Sequence, residues 1–273
     1  GAATLLHDVG VDDPRAVKAV LINTTDSRSW WTPGMGWGEV NLDRAFVLRH
    51  HWYVDNVSPD GHLGSYRLYR VPVALPYDKA TLVWNRRVNW NGASYPSTYY
   101  DPPDLDLHLY REANGVEAMP STNPHDNVEQ VYSTFTGPAI IRVEAATISF
   151  PGGASAATYA IAVPPGTVEA NGPSLSIAAS LSTASPPLNA KFRLLLTISN
   201  NGDTNAPACK VQIWPDPDLW VVSGLLKTDI GSIPAGEQKT VEIWFKATAP
   251  GTKEIDFECD TWAFGREWLD QGT

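Results

Sequence analysis

The hydrophobic positions of this chain change period along its length, and the change divides it into three regions. In V-D-D-P-R-A-V-K-A-V-L-I-N-T-T, Val17, Val20, Leu21 and Thr24 recur at helical spacing. Asp13 is a good N-cap there and Pro14 suits the first helical position, so the segment predicts an amphipathic helix. G-A-A-T-L-L-H-D-V-G predicts the end of a preceding helix stopping near Gly10. A short third helix is expected after Asn41, with Asp43 near its positive end. From about Ser65 to Val163 the period becomes two. S-Y-R-L-Y-R-V-P-V-A-L, K-A-T-L-V-W-N, L-D-L-H-L-Y-R, D-N-V-E-Q-V-Y-S-T, P-A-I-I-R-V-E-A and A-T-Y-A-I-A-V predict short strands between Gly, Pro and Asn clusters. In L-D-L-H-L-Y-R, Leu105, Leu107 and Leu109 face one way and Asp106, His108 and Tyr110 the other, which predicts a half-buried antiparallel strand.

P-P-G-T-V-E-A-N-G-P, Pro164 to Pro173, is a linker by composition, and alternation resumes beyond it. Leu175, Ile177 and Leu181 alternate, as do Phe192, Leu194, Leu196 and Ile198, then Val241, Ile243 and Phe245, then Ile255, Phe257 and Cys259. With turns at Asn200 to Asp203 and Ile233 to Glu237, this predicts a seven-stranded, Ig-like sandwich. The expected architecture is mainly β: a helical segment over 1–50, a jelly-roll β-sandwich over 51–165 and an Ig-like β-sandwich over 174–273.

Composition narrows the function classes. Among 273 residues there are 21 Gly, 22 Pro and 11 Trp, with 18% charged, as in compact all-β extracellular proteins. The net charge of -10 argues against a nucleic-acid partner. No apolar run approaches the roughly 20 residues of a helical membrane span. No secretory leader is legible at the start, so the chain is expected to begin inside a longer protein.

Three motifs occur in register: Gly1 to Leu6, the Pro14 to Thr24 helix, and G-W-G-E-V-N from Gly36 to Asn41. Their order and spacing resemble the end of the catalytic domain of subtilisin-like serine proteases. The order of the middle strands resembles the β-sandwich that follows that domain in secreted subtilases and, more distantly, the P-domain of kexin-like convertases. The resemblance covers residues 1 to about 165. It implies the C-terminal portion of a secreted endopeptidase whose Asp, His and Ser all precede Gly1, so the chain alone would be inactive. The stripe of Leu5, Leu6, Val17, Val20 and Leu21 then calls for a cover: the missing protease portion, a sandwich face, or a neighbouring copy. The last residues resemble, generically, the Ig-like adhesion modules of secreted prokaryotic proteins. Two further readings stay open: a self-assembling extracellular structural or adhesive protein, and a carbohydrate-binding module.

The candidate sites follow. The resemblance implies calcium, and Asp104, Asp106, Asp126 and Asn127 offer hard oxygen ligands; the alternative is strand-edge carboxylates in water or capping turns. The stretch Trp84 to Asp101 is dense in aromatics. Trp84, Arg86, Arg87, Trp90, Tyr95, Tyr99 and Tyr100 could form a sugar-stacking or protein-binding platform, or a loop packed on itself. Cys209 and Cys259 are the only cysteines and share the inward phase, so a disulfide worth roughly 4 kcal/mol is expected in an oxidising compartment. Trp214, Trp220, Trp244, Trp262 and Trp268 are expected in the core or at an interface. Six scattered histidines accompany no nucleophile signature.

Overall fold

The structure is a computed structural model of the chain and describes residues 1–26, 31–59, 65–85, 88–89, 98–99, 103–147, 150 and 153–273. It divides into two compact units, residues 1–111 with 117–169, and 112–116 with 170–273. The fold is mainly β, built from antiparallel sheets paired into sandwiches.

The first unit opens with α1 (Ala2–Asp8), α2 (Pro14–Asn23) and α3 (Leu42–Val47). Asp13 caps α2 by accepting from the backbone N–H of Arg15 at 2.7 Å and of Ala16 at 3.3 Å. Asn41 caps α3 through Arg44 N–H at 2.8 Å. Eleven strands follow: β1 (Trp52–Val57), β2 (Tyr66–Ala74), β3 (Lys79–Trp84), β4 (Val88–Asn89), β5 (Thr98–Tyr99), β6 (Leu105–Arg111), β7 (Glu117–Ser121), β8 (Val128–Tyr132), β9 (Gly137–Ala145), β10 (Ala157–Ala162) and β11 (Val168–Ala170). One sheet runs β1-β10-β3-β8 and the facing one β11-β2-β9-β6-β7, while β4 and β5 pair with each other. Their shared core contains Leu82, Trp84, Leu105, Leu107, Leu109, Ile141, Val143 and Ile161. Tyr69 of β2 and Tyr159 of β10, both fully buried, join the sheets through their hydroxyls at 2.7 Å. Pro72, which cannot donate to a ladder, falls where the β2–β9 register slips.

The helical segment packs on the outer face of the first sheet. Leu6, Val11, Val17, Val20 and Ile22 cluster with Val83 of β3, Val128 of β8, and Ala160 and Ala162 of β10. The strand beneath is therefore covered on both faces, and every residue of β3 is buried. Two of those residues are polar and are satisfied from the end of α2 and the residues just after it. The Thr81 hydroxyl donates to Asn23 Oδ1 at 2.9 Å, and Lys79 Nζ donates to the Thr25 carbonyl at 3.1 Å. Burial, then the charge of Arg44, pushes the Lys79 ammonium down to about 8.

The second unit carries eight strands: β12 (Leu175–Leu181), β13 (Lys191–Asn200), β14 (Ala206–Pro215), β15 (Leu219–Ser223), β16 (Lys227–Ile233), β17 (Gln238–Ala247), β18 (Ile255–Ala263) and β19 (Arg266–Gly272). They form the sheets β12-β13-β17-β15 and β16-β14-β18-β19. Phe192, Leu194, Leu196, Ile198, Ile243, Phe245 and Phe257 fill the core between them. The expected linker is partly regular, since β11 joins the five-stranded sheet. After it, the Asp203 carboxylate accepts from the N–H groups of Asn171 and Gly172 at 2.8 and 3.0 Å. Gly172 has φ +94° and lies under the Trp268 ring, where a Cβ would come within 2.3 Å of it, so no larger residue fits there.

Candidate functional site

The densest chemistry among the described residues lies on the face of β6 that turns away from the sandwich core. Alternation places Asp106, His108 and Tyr110 on that face. The antiparallel register sets Asp106 opposite Glu144 and His108 opposite Arg142 on β9. On the other side, the β6–β7 register slips between Leu109 and Tyr110, pairing Tyr110 with Glu117. That slip turns Glu117 onto the histidine's face, a side chain re-aimed by a bulge. His108 Nδ1 meets Glu117 Oε1 at 2.5 Å. Its Nε2 lies 3.1 Å from Glu144 Oε1 and 4.0 Å from Asp106 Oδ2, buried and in an orientation that makes no hydrogen bond. Arg142 donates to the other oxygen of Glu144.

Three carboxylates thus surround one imidazole, and one of them, Glu144, also meets the Arg142 guanidinium. Burial, then the charge of Asp104, pushes the Asp106 carboxyl up to about 6. Burial opposes protonation of His108, but the carboxylates of Glu144 and Glu117 outweigh it and raise the imidazole above its ordinary value. Burial would raise Glu144 too, yet the neighbouring His108 ring and the hydrogen bond from Arg142 hold it below the ordinary carboxylate value. On β8, burial pushes Glu129 up to about 7 although Ser121 and the Asn123 N–H donate to it.

Of the four residues expected to bind calcium, the three aspartates do not all bring ligand atoms within 4.8 Å of one another. Asp104 and Asp106 are electrostatic neighbours, and Asp104 keeps one buried oxygen without a hydrogen bond. Asp126 instead accepts from the Asn123 side chain at 2.9 Å, and Asn127 donates to the Trp84 carbonyl at 2.8 Å. The acidic residues that do group with a third ligand are Asp106 and Glu144, and that ligand is His108, with ligand atoms within 4.8 Å of one another. Alternation alone put His108 beside Asp106; Glu144 and Glu117 needed the register and the bulge.

Of the aromatic platform, Trp84 is a core residue, 1% exposed, with its indole N–H donating to the Pro103 carbonyl at 2.7 Å. Its inward phase on β3 removes it from any surface. Arg86, Arg87, Trp90, Tyr95 and Tyr100 lie outside the described residues, and Tyr99 is described only as backbone in β5. Cys209 and Cys259 share the second core as expected, but both are free thiols. Val211, not Cys209, stands opposite Cys259, so the cysteines are diagonal neighbours on adjacent strands, with their thiols in contact. The helical stripe has its cover within the chain: Leu6, Val17 and Val20 are buried on the first sheet and Leu21 is half-buried, while Leu5 is exposed.

None of the five tryptophans of the second unit expected in the core or at an interface is among its buried residues. Trp214, Trp220 and Trp262 are exposed, the last two by 65% and 67%. Trp220 and Trp244 share the outer face of the β15–β17 pair, where Trp220 is opposite Lys246 and Trp244 opposite Ser223. Trp244 Nε1 donates to Glu242 at 2.7 Å, Arg193 pairs with the same carboxylate at 3.3 Å, and Lys246 Nζ sits 5.9 Å from the Trp220 ring centre. This face joins flat apolar rings to fixed polar groups.

Comparison with known proteins corrects the resemblance drawn from the N-terminal motifs. Residues 172–264, well under half of the chain, match the model of the CARDB family. No curated protein matches the chain. Structures similar in part are a calcium-binding mutant, D341A D367A, of Bacteroides uniformis β-glucuronidase 2 (13% identity, TM-score 0.25, 81% of this chain and 25% of that one) and a glycosyl hydrolase family 2 member from Bacteroides cellulosilyticus (8%, 0.26, 81% and 26%). The chain spans about a quarter of the length of each, and TM-scores this low carry no functional argument. The subtilase assignment does not stand: the family found is CARDB, over the second sandwich. The three N-terminal motifs are better explained locally, as capped helices whose apolar stripe closes the outer face of the chain's own first sheet.

Proposed function

We propose that this chain is a non-catalytic accessory segment of an extracellular protein, and that its second sandwich attaches to carbohydrate through outward-facing tryptophans. The observation that supports this most is the Trp220–Trp244 face, where the exposed Trp220 and the half-buried Trp244 stand beside Arg193, Glu242 and Lys246. Pyranose rings present apolar C–H faces that stack on such indoles, while their hydroxyls accept from guanidinium and ammonium and donate to carboxylate. A sheet face holds these groups at fixed spacing, so little ordering entropy is lost on binding. The CARDB match over 172–264 accords with an accessory role.

Affinity electrophoresis of the full chain through gels containing soluble neutral and acidic polysaccharides tests the reading. At least one polysaccharide should retard wild type, and the double variant Trp220→Ala, Trp244→Ala should lose about tenfold or more of that affinity. Equal retardation of both proteins, or none with any polysaccharide, would reject it. A second reading, self-association, is favoured by the exposed apolar side chains Leu5, Leu42, Phe46 and Val47 on the helical segment. Concentration-dependent sedimentation, abolished by Phe46→Glu with Val47→Glu, is its expected signature.

A further inference from the structure

We propose that Asp106, His108 and Glu144 form a binding site for a divalent transition-metal ion of the zinc class, with Glu117 orienting the imidazole. This site is separate from the tryptophan face and does not depend on the carbohydrate reading.

The first argument is the direction of His108. Its Nδ1 is taken by Glu117 at 2.5 Å, which leaves Nε2 as the free ring nitrogen, and Nε2 is buried and makes no hydrogen bond. A carboxylate on one ring nitrogen with the other aimed at oxygen ligands is the arrangement by which proteins orient metal-binding histidines. The second argument is reach. Nε2 is 3.1 Å from Glu144 Oε1 and 4.0 Å from Asp106 Oδ2. Zinc bonds of about 2.0–2.2 Å at tetrahedral angles put ligand atoms roughly 3.3 Å apart, so one edge is nearly in place, a second closes by less than an ångström, and the third, between Asp106 and Glu144, lies within 4.8 Å.

The third argument is charge. Asp106 and Glu144 stand directly opposite on neighbouring strands, a like-charge pairing that is unfavourable in a sheet and more so when buried. Asp106, Glu117 and Glu144 all approach one imidazole, and Arg142 pairs with Glu144 among them, so the group is rich in negative charge that a cation would balance. The donor set selects the ion. An imidazole nitrogen with two carboxylates suits zinc-like ions, whereas calcium takes six to eight oxygens and rarely a nitrogen. Three protein ligands leave a further position for water. The side chains of Asp106 and Glu117 are 17% and 39% exposed, which gives the ion a way in.

The alternative is a metal-independent network in which His108 is protonated between its carboxylates, and the experiment separates the two. The full chain, stripped with a chelator, is titrated with Co²⁺ at neutral pH and followed by visible absorption, then challenged with Zn²⁺ and with Ca²⁺. One equivalent should bind with the d–d bands of a low-coordinate nitrogen–oxygen site. Zn²⁺ should displace it and millimolar Ca²⁺ should not. His108→Gln and Asp106→Asn should each weaken Co²⁺ by about 100-fold or more, and Glu117→Gln by about 10- to 100-fold. Thermal unfolding of each variant in chelator confirms that it is folded, and a variant that is not is replaced by Glu144→Gln at the same site. No saturable Co²⁺ binding, unchanged affinity in the folded His108 and Asp106 variants, or equal displacement by Ca²⁺ would each overturn the proposal.

Discussion

The two sandwiches use alternation differently. In β13 of the second unit, Lys191–Asn200, burial alternates without a break, and Phe192, Leu194, Leu196 and Ile198 are the inward set. In β3 of the first unit all six residues are buried, and in β9 the five residues from Ala139 to Val143 are. The consequence is chemical. Strands β2 to β9 bury Lys79, Thr81, Glu129, Gln130 and Arg142, whereas strands β12 to β19 bury no charged residue and only Asn200 and Thr261 among polar ones. The second unit buries its phenylalanines and instead exposes tryptophans, with Trp214, Trp220 and Trp262 on outward faces. A sheet open to water on its outer face can leave charges there at little cost. A sheet covered on both faces must pair them or let them change protonation state. The first unit is thus where titration and metal binding should matter, and the second where surface contact should.

The largest effect expected from this contrast is at the cover itself. Val20→Asp places a carboxylate against Val83, Ala160 and Ala162, and should cost several kcal/mol, because a buried charge without a partner is not compensated. Limited proteolysis should then cut within residues 1–48, while the second unit stays resistant. Comparable resistance of Val20→Asp and wild type would mean that α2 does not cover the sheet.

Next in size is a pH dependence confined to the first unit. Burial raises Glu129 to about 7 from an unfolded value near 4.3, so the folded state binds the extra proton between those values. Stability from this group is present at low pH and is lost as pH rises through 7, on the order of 2 kcal/mol in total. Lys79 acts in the opposite sense. Its ammonium is lowered to about 8 against roughly 10.4 unfolded, so stability rises as pH increases from 8 towards 10. Urea titrations following the first unit should therefore show a shallow minimum near pH 7–8. Glu129→Gln should flatten the acid limb and Lys79→Met the alkaline limb. A profile unchanged by either substitution would remove these groups as its cause.

The smallest stability effect belongs to the tryptophans. Trp262→Ala and Trp220→Ala should each change unfolding free energy by about 0.5 kcal/mol or less, since both rings are mostly in water. Thermal denaturation checks this. A loss of several kcal/mol would show that these rings pack in the fold and are not a contact surface.

Much of the fold was legible because it rests on local rules. The caps at Asp13 and Asn41 begin α2 and α3 where their side chains reach the free N–H groups. The alternating segments of the middle region became β2, β3, β6, β8, β9 and β10 within a few residues. The signal was weaker in β1, β7 and β11. β7, E-A-M-P-S, carries a proline and sits at the sheet edge, and β11 is three residues long inside a turn-rich stretch. The candidate metal group was half legible: its β6 members follow from period two, but Glu144 lies 36 positions from His108 along the chain and meets it only through pairing.

The sequence by itself determined which side of each strand carries its apolar residues, where the helices begin, and that the two cysteines share one core, because these depend on neighbours two to four positions away. The tertiary structure alone decided what each outer face meets. It put α2 over β3, so that Lys79 and Thr81 became interior residues, and left the β15–β17 face open, so that Trp220 became a surface one. It set the strand register that brings Glu144 and a bulged Glu117 to His108, and that keeps Cys209 one diagonal step from Cys259. Register and cover join residues far apart in the chain, and the free energy that selects them is that of the assembled sandwich, which no local pattern encodes.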